Sequence, residues 1–117
     1  MTAATPAPIP PSDSLDDLRE RQRQFAADRD WEQFHTPKNL AMSVAIEAAE
    51  IMEHFQWLTA AQGLALDAAA RQEVAHEIAD VLLYLVRLAD VLDIDMAAAA
   101  REKIALNAGK YPARRSL

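Results

Sequence analysis

The chain has no cysteine, which excludes disulfides, thiolate metal sites and cysteine nucleophiles. Glycine is nearly as scarce, with Gly63 and Gly109 the only two in 117 residues. There is accordingly no glycine-rich phosphate loop, and any phosphate must be held by metal and side chains. No apolar run approaches the roughly 18–20 residues of a membrane span. The N-terminus lacks the basic-then-apolar pattern of a signal peptide. Basic residues are outnumbered, 12 Lys+Arg against 18 Asp+Glu, for a net charge of −6. That balance argues against a general nucleic-acid binder but leaves room for a local basic pocket. The expectation is a cytoplasmic protein with neither nucleic acid nor membrane as partner.

What is present favours helices. Apolar residues reach 51%, with abundant Ala and Leu. The length suits one domain, with a real core but marginal stability as a monomer. Residues 1–13 hold four of the six prolines and no helical period, and read as a disordered tail. Asp13 or Ser14 can cap a first helix over Leu15–Asp28. Thr36 followed by Pro37 reads as an N-cap with proline at the first helical position, opening a second helix to about Trp57. Thr59–Ala70 reads as a loop or short extra turn. A third, most apolar helix spans about Ala68–Leu92. After a turn at Asp93-Ile94-Asp95, a fourth runs from Met96 to about Asn107, ended by Gly109 and Pro112. Residues 114–117 read as a frayed end. Four helices with short connections predict an all-α, four-helix bundle over residues 14–113.

Two acidic pairs interrupt this pattern, Glu47-x-x-Glu50 and Glu77-x-x-Asp80. Acids three apart share one helix face. Here that face is apolar: Val44, Glu47, Ile51, Phe55 and Leu58 form one stripe, and Val74, Glu77, Ile78, Val81, Leu85 and Leu88 the other. Buried unpaired carboxylates are costly, so a positive charge is expected between the helices. Four convergent carboxylates suit a hard cation, Mg²⁺ or Mn²⁺. The bland alternative is solvated surface charge, which describes most such pairs.

Other residues need the same weighing. Trp31 and Trp57 fit core anchors, the usual place of tryptophan in a small domain. Tyr84, one turn beyond Asp80, is a core tyrosine or a pocket donor. His35 fits a capping or structural histidine. Lys103 and Lys110 complement a helix C-terminus or, with Asn107, face a triphosphate. Glu73-x-x-His76 supplies the Glu-x-x-His of ferritin-like di-iron sites once, but His54 has no glutamate three residues before it, so the second copy is missing.

Glu47-x-x-Glu50, a gap of 26 residues and Glu77-x-x-Asp80 resemble the metal signature of the MazG-like all-α nucleotide pyrophosphohydrolases, relatives of the dimeric dUTPases. DRDWEQFHTPKNL (28–40), FQW (55–57), EIADVLLYLVRLADVLDID (77–95) and KYP (110–112) are similar to the dCTP-hydrolysing type within that group. The resemblance implies Mg²⁺-dependent hydrolysis of a deoxynucleoside triphosphate, dCTP or modified dCTP, to monophosphate and pyrophosphate, in nucleotide-pool cleaning. It implies Glu47, Glu50, Glu77 and Asp80 as metal ligands. Placing a water in line also calls for a proton acceptor, and Glu50 is the carboxylate chosen for that role. It places Trp31, His35, Trp57 and Tyr84 around base and sugar, and Lys38, Lys103, Asn107, Lys110 and Tyr111 near the phosphates. It also implies a homotetramer, a dimer of dimers. The connection Thr59–Ala70 is short beside that of animal members. Rival readings are a broader house-cleaning or dUTP pyrophosphatase, a non-catalytic helical scaffold, and a ferritin-like redox protein.

Overall fold

The computed structural model describes residues 14–114. The expected tail, 1–13, and the end of the chain, 115–117, lie outside the described residues. Among the described residues all regular structure is helical: α1 Leu15–Asp28, α2 Pro37–Phe55, α3 Ala60–Leu64, α4 Ala68–Val91 and α5 Met96–Lys110, with a single 3₁₀ turn at Glu32–Phe34.

Each start has a local cause. Ser14, Thr36, Thr59, Asp67 and Asp95 accept the N–H of the residue three positions on, at 2.8–3.2 Å. At Thr59 the bond is reciprocated, because the Gln62 side chain accepts the Thr59 N–H at 2.9 Å. This capping box turns Ala60–Leu64, expected as a loop or short turn, into a brief helix. Pro37 occupies the first turn of α2, where its missing N–H removes no helical bond. Asp30 and Asp93 adopt φ 55° where α1 and α4 end. An Asp tolerates this left-handed geometry better than bulky residues. The turns let Trp31 N–H reach Ala26 O at 2.9 Å and Ile94 N–H reach Ala89 O at 2.8 Å.

Helix α4 is the axis of the packing. It packs most extensively against α2 and also against α1. Ala26, Leu40, Val74, Val86 and Ala89 form the buried apolar core. The four long helices are those expected from the sequence, but α5 contributes no buried residue. Two details differ from the reading above. Gly109 does not end α5: among the described residues no glycine has positive φ, and the helix runs through it to Lys110, stopping just before Pro112. Ile78 and Leu85 fall outside the buried stripe of α4, because a helix packed against two neighbours buries Val74, Val86 and Ala89 instead.

Leu40, 1% exposed, is the largest fully enclosed side chain among the described residues. Leu40→Ala is expected to lower unfolding free energy by about 2–5 kcal/mol, the usual cost of a buried leucine cavity. Urea denaturation measures it, and a loss under about 0.5 kcal/mol, typical of an uninvolved surface site, contradicts the packing described.

Candidate active site

The α2–α4 interface carries the acids. A carboxylate oxygen from each of Glu47, Glu77 and Asp80 can be chosen such that all three lie within 4.8 Å of one another. Glu47 and Glu77 are half-buried and Asp80 is exposed, so the group opens toward solvent on one side. The Glu50 carboxyl is close enough to Glu47 and to Glu77 to raise the proton affinity of both. All four residues of the acidic signature are therefore neighbours.

Their electrostatics are unfavourable without a cation. Burial, then the hydrogen bond and charge of Glu50, push the Glu47 carboxyl above the ordinary glutamate range. The Glu50 hydrogen bond, then burial and the charges of Glu50 and Asp80, do the same to Glu77. His54, 3.9 Å from Glu77, offsets this only slightly. Glu47 Oε2 and Glu77 Oε2 are closed to solvent and make no hydrogen bond. Orphaned buried oxygens of this kind are rare, because each carries its full desolvation penalty. An all-oxygen donor set with two unsatisfied members fits a hard divalent cation, which would be held by Glu47, Glu77 and Asp80, with Glu50 alongside.

A second group sits where α1 passes into α2. The Trp31 ring meets Phe25 edge-on at 5.6 Å and the His35 ring at 6.4 Å. Trp31 is 44% exposed and stands outside the buried core. Trp57, just beyond α2, is 86% exposed. Tyr84 is half-buried on α4, one turn after Asp80, and Lys38 is exposed in the first turn of α2. Lys103, Asn107, Lys110 and Tyr111 are exposed on α5 and at its end. Lys110 Nζ lies 5.3 Å from the Tyr111 ring, a local contact. Among the described residues, no hydrogen bond or ion pair joins these four to the carboxylates. A cleft between α1 and the α4–α5 turn, lined in part by Arg19, Arg23, Asp90 and Ile94, shares no residue with the acidic group.

Sequence reasoning missed two things. His54 mattered there only as part of an incomplete di-iron pattern, yet it faces Glu77. His76, the other half of that pattern, is exposed and pairs with Gln72 at 2.8 Å. Arg87 and Asp90 were read as part of an apolar run, yet Arg87 is buried and bonded to His35. An arginine and an acid three apart inside that run were the available signal.

A profile of the MazG-like family matches residues 42–116, which includes both acidic pairs. The chain belongs to the MazG-like family. Among curated members it is 39% identical over 112 residues to dCTP pyrophosphatase 1 of Rattus norvegicus, covering 94% of this chain and 66% of that protein. The Homo sapiens protein of the same name is 40% identical over 105 residues, covering 88% and 62% respectively. This MazG-like chain thus spans a little under two thirds of the length of those relatives. A pyrophosphatase of known crystal structure from Archaeoglobus fulgidus superimposes with a TM-score of 0.80 at 41% identity, covering 85% of this chain and 93% of that one.

The raised carboxyls tie stability to pH and metal. A carboxyl raised in the folded state favours folding below the ordinary range near 4.5 and loses that contribution as pH rises through its raised value. Metal-free protein is therefore expected to melt lower as pH rises from 5 to 8, with Mg²⁺ restoring the loss. Glu47→Gln is expected to melt higher than wild type in EDTA at pH 8, by a few degrees, and to lose the Mg²⁺-induced rise. Calorimetry with and without Mg²⁺ tests both, and an Mg²⁺ response unchanged by the substitution contradicts the cluster's role.

Proposed function

We propose that this MazG-like protein hydrolyses a deoxynucleoside triphosphate, dCTP or modified dCTP, to the monophosphate and pyrophosphate, with Mg²⁺ (or Mn²⁺) as cofactor. The observation that carries the reading is the pair of orphaned oxygens on Glu47 and Glu77 within a four-carboxylate group. The named activity of the rat and human relatives, at about 40% identity across most of the chain, supports the substrate. The role is cleaning of the nucleotide pool, and the location cytoplasmic.

The chain's own groups divide the work. Glu47, Glu77 and Asp80, with Glu50, would hold the cation. When bound, the metal neutralises phosphate charge and activates water for attack. Glu50, whose charge bears on both Glu47 and Glu77, is assigned the acceptance of the proton from the attacking water. Trp31, His35, Trp57 and Tyr84 are assigned to base and sugar. An exposed aromatic ring stacks on a base without discriminating strongly, so hydrogen bonds at the base edge must add selectivity. Lys38, Lys103, Asn107, Lys110 and Tyr111 are assigned to the phosphates, where ammonium groups act as point charges.

A homotetramer, built as a dimer of dimers, completes the proposal. Met42, Ile46, Met52, Trp57, Leu64, Ile104 and Leu106 are 50–92% exposed, more apolar surface than one chain covers by itself. The carboxylates open to solvent on a face that this chain leaves uncovered, and the α5 cations reach no phosphate site built by α2 and α4 alone. A neighbouring subunit supplies the missing wall.

The test is product analysis on a panel of deoxynucleoside triphosphates, with and without Mg²⁺, separating pyrophosphate from single phosphate. Metal-dependent dCMP and pyrophosphate, with dCTP preferred, is the expected result. Asp80→Ala and Glu50→Gln are each expected to lower kcat at least about a hundredfold, the scale of losing an acid–base group. Pyrophosphate from many nucleotides at equal rates favours a broad house-cleaning enzyme, and no metal-dependent hydrolysis removes the catalytic reading.

A further inference from the structure

Three helical segments are joined by a run of charged groups apart from the carboxylate cluster. Arg23 on α1 makes a forked pair with Asp90 on α4, its Nε donating to Oδ2 at 2.8 Å and Nη2 to Oδ1. Asp90 Oδ2 also accepts from Arg87 Nη1 at 3.2 Å. Arg87 in turn donates from Nε to Nδ1 of His35 at 3.0 Å, across 52 positions of sequence. The Arg87 and Asp90 side chains are only 10% and 7% exposed. The far end of the run is the His35 ring, set edge-on to Trp31.

The direction of the last bond decides the state of the histidine. A guanidinium carries five N–H donors, no acceptor, and does not deprotonate in proteins. Nδ1 of His35 must therefore be the bare nitrogen, and the ring proton sits on Nε2. Burial first, then the Arg87 charge, hold the imidazole below its ordinary value, against a smaller opposing pull from Glu32. The ring is thus a neutral donor through Nε2–H.

Fold stability does not explain the arrangement. A buried ion pair is frequently no better than well-packed apolar side chains of similar volume. Positions 87 and 90 lie in an otherwise apolar run between Val86 and Val91. What Arg87 supplies that an aliphatic residue would not is a fixed tautomer.

We propose that Arg87, braced by Asp90 and Arg23, is a positioning residue: it locks His35 as the Nε2–H tautomer, a donor for an uncharged oxygen on the nucleoside half of the substrate. The oxygen is either a base carbonyl or a sugar hydroxyl, and both present the same acceptor chemistry. A neutral donor beside Trp31 suits such an oxygen better than a charged phosphate. Without Arg87 the ring divides between tautomers, and the form with bare Nε2 repels the acceptor. The substrate half of this inference rests on the pyrophosphohydrolase reading. The tautomer half does not.

The experiment combines ¹⁵N NMR of the imidazole with kinetics on wild type, Arg87→Met and Arg87→Lys. Wild type at pH 7 is expected to show His35 with protonated Nε2 and bare Nδ1, before any nucleotide is added. Arg87→Met is expected to show mixed tautomers and a KM for dCTP raised up to about tenfold, the worth of one hydrogen bond, with kcat within about threefold. Arg87→Lys, which keeps a cationic donor, is expected to recover part of both. A 3′-deoxy analogue then separates the acceptors: a KM already raised in wild type and insensitive to Arg87→Met assigns the sugar hydroxyl, an unaltered response the base carbonyl. Wild-type His35 protonated on Nδ1, or doubly protonated at pH 7, overturns the positioning role even if the variants do not fold. An Arg87→Met enzyme with unchanged KM overturns the substrate contact. Failure of wild type to hydrolyse dCTP overturns the functional reading and with it that contact, leaving the NMR result to stand on its own.

Discussion

Two glutamates facing each other across a helix–helix contact set the terms for the rest of this structure. Glu47 and Glu77 take positions on α2 and α4 that packing would give to aliphatic residues. Each keeps an oxygen out of water without a hydrogen bond. Like charges at such range in a partly buried site raise each other's proton affinity, and Glu50 and Asp80 add to the effect. The α2–α4 interface is the most extensive in the chain, so its apolar contacts hold the acids together against their repulsion. A divalent cation held there, as proposed above, would reverse the sign of the arrangement, turning a destabilising cluster into a ligand set.

Helix α4 links that cluster to the aromatic group because it packs against both α2 and α1. Val74, Glu77 and Asp80 belong to its first half, where α2 passes. Val86, Arg87, Ala89 and Asp90 belong to its second, where α1 and the His35 turn pack. One rigid helix therefore carries both the acids assigned to the metal and the arginine that orients the histidine. A rigid element positions groups more firmly than a loop. Helix α5 stands in contrast. It is well capped by Asp95, yet all of its side chains beyond the first turn are exposed.

Much of the helical layout was legible because its signals are local. Ser14, Thr36-Pro37 and Asp95 mark helix starts by hydrogen bonds that span three residues, and α1 begins and ends where periodicity placed it. The convergence of the acidic pairs was legible too, since carboxylates within apolar stripes conflict with burial unless they meet. The remainder depended on tertiary context. Gly109 continues a helix that local propensity would end there. Ile78 and Leu85 share the heptad-like spacing of the buried residues, but the rotation of α4 between two neighbours exposes them. Arg87 and Asp90 are hidden in sequence within an apolar helical run. Only the approach of Arg23 from α1 and of His35 from the following turn makes them a connected, buried group. Trp31 and Trp57 read in sequence as core anchors, the usual place of tryptophan in a small domain, yet both are exposed.

The most direct test of the central claim is proton release on cation binding. Mn²⁺ is titrated calorimetrically into metal-free protein between pH 5 and 7, in buffers of different ionisation enthalpy. Because Glu47 and Glu77 hold protons above the ordinary carboxylate range, binding is expected to expel protons, with a stoichiometry that declines as pH rises. Glu47→Gln is expected to remove most of the binding. Binding with no proton release across that range, or with affinity unchanged in Glu47→Gln, would contradict the account of the α2–α4 acids as a cation seat.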